Sequence, residues 1–169
     1  MAELIFTDAS AWIALIYPRD SYHQQASAIY RSLIDEGALL VVTSWVAYEA
    51  LSFVRSRASY AVAVNLNQIL HNRQLVWWEQ VTPVIEEQAV QMFWRYEDKT
   101  WGIVDCASLV VMQLLGCQRA FGYDHHFWEA TRQSGFRLLG DVWDVFPLLA
   151  LRVLREKLDS PSHFKTLSS

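Results

Sequence analysis

Cysteine is scarce in this chain: two in 169 residues. Cys106 and Cys117 fall on what reads as one helix and its end. That spacing matches no zinc-ligand pattern and suits a disulfide poorly, so reduced, buried thiols are expected. Basic charge is also in deficit. A formal net charge of −4 excludes a generic, sequence-wide grip on nucleic acid, which needs clustered Lys and Arg to neutralise phosphates, but leaves room for a local basic rim. Long apolar runs are missing as well. The longest, Ile103 to Cys117, is broken by Asp105 and Gln113 and falls short of the roughly 20 residues of a membrane-spanning helix, so no membrane association is expected. The opening MAELIFTDAS carries an acid at Glu3 and no basic lead-in. It reads as neither a secretory signal nor a transit peptide, and a cytoplasmic protein is expected.

What is present is a core. Hydrophobic residues make up 53% of the chain and charged residues 19%, with eight Trp, far from the composition of a disordered chain. The length suits one compact domain of about 100–200 residues.

The pattern alternates. Leu4 to Thr7 reads as a strand that turns at Asp8-Ala9-Ser10 into a helix carrying Trp12, Ile13, Leu15 and Ile16, stopped by Pro18. Asp20 or Ser21 can cap a second helix running toward Gly37, and Leu39 to Thr43 is a second strand. Ser44 opens a helix that forms a hairpin with another over Ser59 to His71. Leu75 to Trp78 is a third strand, with Trp77 and Trp78 facing opposite helical layers, and Thr82-Pro83 starts the next helix. Ile103 to Leu115 is helical and closed by Gly116. Arg119 to Tyr123 is a fourth strand, His125 to Gln133 a helix and Phe136 to Leu139 a fifth strand. Strands that alternate with helices this long specify an α/β fold: three layers around a central parallel sheet of about five strands. Residues 1–140 make the core domain. Residues 141–169 read as an extension, with an amphipathic helix over Val142 to Leu158 and a frayed tail.

Ligands of parallel α/β sheets bind beyond the carboxyl ends of the strands. Asp8 follows strand one and Asp124 strand four. Taken singly, each reads as a helix N-cap, and Asp105, in a first helical turn, as a partner of the helix dipole. Glu49 is harder to explain away, because it sits mid-helix, one turn from Trp45 and Phe53, at the edge of an apolar stripe; a solvated edge is the alternative. Jointly, the four acids fall at one end of the sheet. Clustered carboxylates raise one another's pKa unless a cation lies among them, and no Lys or Arg is supplied to each. A divalent cation is the economical counterion, and all-oxygen donors favour Mg²⁺ or Mn²⁺ over zinc.

These residues carry a resemblance. Ile5-Phe6-Thr7-Asp8-Ala9-Ser10 resembles the first-strand motif of PIN domains, within them the VapC-like toxin ribonucleases, and Asp20-Ser21-Tyr22-His23-Gln24-Gln25-Ala26 is similar to their second-helix start. Glu49 in Thr43-Ser44-Trp45-Val46-Ala47-Tyr48-Glu49, Asp105 in Gly102-Ile103-Val104-Asp105-Cys106-Ala107-Ser108 and Asp124 in Phe121-Gly122-Tyr123-Asp124-His125-His126-Phe127 resemble the later acidic motifs, over roughly residues 4 to 140. The chain departs from the pattern where Gly102, Val104 and Gly122 replace frequent hydroxyl residues, so fewer hydrogen bonds around the ligands are expected.

The resemblance implies a metal-dependent endoribonuclease, the toxin of a toxin–antitoxin pair. Asp8 and Asp105 would be inner ligands, Glu49 and Asp124 would serve a second metal or orient water, and Ser10 would support Asp8. One metal or two is left open. It also implies a homodimer and an antitoxin in the active-site groove. The apolar hairpin from Ser44 to His71 is the expected protein contact.

An acidic pocket repels RNA, so cations at its rim are expected to hold the backbone; the candidates are Arg55, Arg57, Lys99, Arg132 and Arg137, each of which singly reads as ordinary solvated surface charge. Large aromatics are expected mostly to pack, and Trp101 and Trp128, nearer the proposed mouth, are the candidates for stacking on a base. His125 and His126 are adjacent and chelate poorly together. The alternative within the family is a catalytically idle module that binds RNA or protein. A haloacid-dehalogenase-like phosphatase would need a second acid where Ser10 stands.

Overall fold

The computed structural model describes residues 2–140, so the proposed extension over 141–169 and its helix lie outside the described residues. The chain runs β1 (Leu4–Thr7), α1 (Ala9–Ile16), α2 (His23–Asp35), β2 (Leu39–Thr43), α3 (Ser44–Arg57), α4 (Tyr60–Leu70), β3 (Val76–Glu79), α5 (Pro83–Arg95), α6 (Ile103–Leu115), β4 (Arg119–Phe121), α7 (His125–Gln133) and β5 (Arg137–Leu139). All five strands are parallel, in the order β3-β2-β1-β4-β5. Ile5 and Phe6, Leu40 to Val42, and Ala120 and Phe121 are fully buried. Successive strand residues face opposite sides, so both faces of the central strands are covered. On one side α1 packs with α2, α3 and α4; α6 packs with α5 and α7.

Polar residues start most helices where alternation ends. Thr43, Ser59 and Thr82 each accept a hydrogen bond from a backbone N–H in the first turn of α3, α4 and α5, and Pro83 fills the first turn of α5. α6 closes on Gly116 at φ 71°, a left-handed conformation glycine adopts without penalty. The second helix differs from expectation. Tyr22, not Asp20 or Ser21, stands at its N-cap, and the Asp20 carboxylate instead accepts from the Tyr22 N–H at 2.8 Å in the preceding turn.

β3 is an edge strand, and this changes the fate of its tryptophans. Trp78 is half-buried and meets Tyr48 of α3, whereas Trp77 is 43% exposed, with Nε1 donating to Glu79 Oε2 at 2.9 Å. Only Trp78 of the pair therefore meets a helix as expected. Cys106 and Cys117 are free and buried, and burial pushes both thiols up to about 11. No helix of the described residues is long and apolar enough to cross a membrane.

Candidate metal centre

The parallel register brings Thr7 beside Phe121 and Thr43 beside Glu79, so the exits of β1, β4, β2 and β3 share one end of the sheet. Asp8 leaves β1 there as the N-cap of α1. It is 6% exposed, and its backbone N–H still donates to Phe121 O at 2.9 Å, extending the ladder by one rung. Its Oδ2 accepts from the Ser10 N–H at 3.0 Å and closely from the Ser10 hydroxyl. The same hydroxyl accepts from the N–H groups of Tyr123 at 2.9 Å and Asp124 at 3.2 Å. Ser10 is thus a junction that fixes the first acid against the loop carrying the fourth.

Asp124 caps α7, its Oδ1 accepting from His126 N at 2.9 Å and Phe127 N at 3.1 Å. Asp105, in the first turn of α6, accepts from Gly102 N through Oδ2 at 2.7 Å. The readings of Asp8 and Asp124 as caps therefore hold, and one oxygen of each of these three acids is committed to a helix start. Glu49 is exposed on α3.

The charges of the four acids act on one another. Burial, opposed by the Ser10 bonds, holds Asp8 above the ordinary carboxylate range, with Asp124 adding to the rise. Desolvation, then Asp8 and Asp124, raise Glu49. Asp105 is pushed up to about 7 by burial first, with Asp8, Asp124 and Glu49 adding to it against the Gly102 bond. Among the described residues no ion pair reaches any of the four, and no three metal-binding side chains close into a ready coordination shell. The donor chemistry nonetheless fits a hard divalent cation: oxygen donors only, mutually repelling, uncompensated by Lys or Arg.

The glycine departures have different local meanings. A Cβ on Gly122 would lie 3.0 Å from Asp8 Cβ and 3.1 Å from a Phe127 ring carbon, so a side chain there displaces the first acid. A Cβ on Gly102 would make only ordinary contact, 3.4 Å from Asp105 Oδ2.

A family match bears on this geometry. The family described as PIN domain matches residues 5–132, which take in all four acids. The chain belongs to the PIN-domain family. Among relatives, it is 29% identical over 127 residues to the 23S rRNA-specific endonuclease VapC20 of Mycobacterium tuberculosis, in strains CDC 1551 / Oshkosh and ATCC 25618 / H37Rv. The match covers 75% of this chain and 94% of that protein. The crystal structure of M. tuberculosis VapC20, described as a sarcin-ricin loop cleaving toxin, superposes with a TM-score of 0.69 over the same shares. FitAcB from Neisseria gonorrhoeae superposes at 0.52 with 14% identity, covering 80% of this chain and 96% of that one, a likeness of fold. The PIN fold and the VapC-like branch expected from the acidic motifs are thereby established.

The rim residues fare unevenly. Trp101 is a correction: at 5% exposure, packed against Tyr96, its face is closed to a base. Lys99 is drawn to Asp98 at 3.1 Å and Glu129 at 3.6 Å. Arg55 lies over the Tyr60 ring at 4.7 Å, and with Arg57 rides the last turn of α3, about 9 and 12 Å along the axis from Glu49. Arg132, in the last turn of α7, covers the Trp128 ring at 5.1 Å. Arg137 opens β5 opposite Arg119, at the far end of the sheet from the acids. One organising contact had no sequence signal. Thr100 Oγ1 meets His126 Nδ1 at 2.9 Å, tying the loop before Asp105 to the helix that Asp124 caps across 26 positions.

Proposed function

We propose that this chain is a metal-dependent endoribonuclease that hydrolyses RNA phosphodiester bonds, as the toxin of a toxin–antitoxin pair. The observation that carries the reading is the mutual repulsion among Asp8, Glu49, Asp105 and Asp124, which no ion pair offsets among the described residues. Similarity to an rRNA-specific endonuclease over three quarters of the chain supports it. Mg²⁺ or Mn²⁺ would be held by Asp8 and Asp105, with Glu49 and Asp124 serving a second ion or orienting water. When bound, such a cation polarises the phosphoryl oxygens and lowers the pKa of water. Ser10 keeps Asp8 in place, and the Gly102 N–H keeps Asp105 in place. Arg55, Arg57 and Arg132 are the exposed cations proposed to meet the RNA backbone.

The partners follow the same reading: an RNA substrate, a second copy of the chain and a protein antitoxin. Phe53, Tyr60 and Val64 expose apolar surface on the α3–α4 hairpin, which supports that face as the protein contact. RNA as substrate and two reduced thiols suit the cytoplasm.

The test is cleavage of a mixed pool of single-stranded and structured RNA with Mg²⁺ or Mn²⁺, with EDTA, and with Asp8→Asn and Asp105→Asn. Metal-dependent cutting that both variants abolish is the expected result. A folded wild type that cuts nothing with metal present would favour the idle RNA- or protein-binding module.

A further inference from the structure

The ribonuclease reading leaves open what receives the bases beside the cut, and the structure offers a surface for them on the β3 side of the acids. Trp78 is the third residue of β3 and pairs with Val42, one position before Thr43, which caps the helix bearing Glu49. The Ser44 hydroxyl accepts from Val81 N at 3.1 Å and Gln80 Nε2 at 3.2 Å, so the exit of β3 is pinned to the start of α3. Three rings follow one another from there. Tyr48, immediately before Glu49 and 55% exposed, meets Trp78 edge-on at 6.0 Å, and Trp78 meets the exposed His71 ring at 4.9 Å. His71 Nδ1 lies 2.8 Å from Asn67 O, which holds the ring in place. Trp78 and His71 also line a groove of about 580 Å³ with Leu70, Arg73, Trp77 and Glu79. Known small-ligand sites are of this size.

We propose that Tyr48, Trp78 and His71 are a stacking platform for unpaired nucleobases of the RNA next to the scissile phosphate, with Arg73 taking a backbone phosphate. The proposal rests on the ribonuclease reading. The surface is made of rings, and every base offers a π-face to a ring whatever its sequence. It begins at a residue adjoining one of the four acids and leads away from them. An RNA strand whose phosphate is at the acids and which runs toward β3 would meet it. Charge is complementary too. The acids repel the backbone, while Arg73 is exposed at the groove and, among the described residues, makes no ion pair.

The experiment uses the full chain. A fluorescein-labelled single-stranded RNA 12-mer is titrated by anisotropy in EDTA, and cleavage of the same RNA is followed with Mn²⁺. Tyr48→Ala and Trp78→Leu are expected to raise Kd and KM about tenfold while leaving kcat within about twofold, and Tyr48→Phe to restore both. Arg73→Gln is expected to lower the salt slope of binding by about one. An abasic nucleotide beside the cut should cost wild type as much as the Tyr48→Ala substitution and cost that variant nothing further. Wild-type Kd and KM in Tyr48→Ala, with cutting intact, would overturn the platform and leave the nuclease standing. If that variant also shifts from dimer to monomer in sedimentation, the face belongs to a second copy. Ring-dependent RNA binding by a wild type that cuts nothing would overturn the nuclease and leave the platform. A wild type that neither binds nor cuts would discard both.

Discussion

The two ends of the sheet treat acids in opposite ways. At the amino end, Glu3 before β1 and Glu36 after α2 share the guanidinium of Arg119, which opens β4, and its hydrogen bonds hold both carboxyls below their ordinary value. At the carboxyl end, the four acids share no cation among the described residues, and Asp8, Glu49 and Asp105 are all raised. The same fold that neutralises two surface carboxylates with one arginine leaves the acids at the strand exits without one. The difference separates acids that support the fold from acids that await a partner.

That contrast can be broken most sharply at Asp8. Asp8→Asn keeps the cap on α1 and removes the charge; RNA cleavage is expected to fall about 10³-fold, the scale of losing metal-supplied charge stabilisation. Glu3→Gln, at the other end, should leave cleavage within about twofold, because its exposed ion pair contributes little. Next in size is Ser10→Ala, which removes the support of Asp8 and strands the Tyr123 and Asp124 N–H groups. Metal affinity, read by calorimetry with Mn²⁺, should drop 10- to 100-fold, by the ~10–100 range for groups that orient ligands, with about 1–2 kcal/mol of stability lost in urea unfolding.

The glycines sharpen the comparison within the site. Gly122→Thr is expected to cost about 1–3 kcal/mol in urea unfolding, since the new Cβ meets Asp8 Cβ at 3.0 Å, whereas Gly102→Ser should stay within about 0.5 kcal/mol. The opposite ordering would mean that Asp105, not Asp8, is the sterically confined acid.

The smallest effect is on pH dependence. Asp105 in the folded protein titrates at about 7 against an ordinary 3.8. Between those values the folded state binds more protons than the unfolded, so stability falls as pH rises and levels off above about 7. Glu3 and Glu36, with lowered values, act oppositely in the acid range and lose their contribution as pH falls through it. Metal-free protein should therefore show its Tm decline from pH 5 to 8. Millimolar Mg²⁺ or Mn²⁺ at pH 8 should reverse the decline, and Asp105→Asn should make it shallower, leaving the part due to Asp8 and Glu49.

Much of this was legible in the chain because local rules and global fold agree. The alternation from Leu4 to Leu139 located all five strands and seven helices within a residue or two. The acids could be placed at one end because a parallel sheet aligns every strand exit. What escaped was set by contacts far apart in sequence. Nothing around Thr100 announces His126, and the side chain of Trp101 gives no hint that the loop folds it inward. Trp77 and Trp78 look equivalent until β3 is known to be an edge strand. Arg137 stood among the candidate rim cations, yet it opens β5 opposite Arg119, and strand direction carries it to the other end.

Asp8 and Asp124 each do two jobs with one side chain, capping a helix and facing the acid cluster, whereas Glu49 lies inside a helix that asks nothing of its carboxylate. Descendants of this sequence that abandoned catalysis would still be pressed to keep Asp, Asn, Ser or Thr at 8 and 124 simply to start α1 and α7. Position 49 would be released at once. Loss of the acid there, with caps intact elsewhere, is the earliest mark by which a decayed copy of this fold would betray itself.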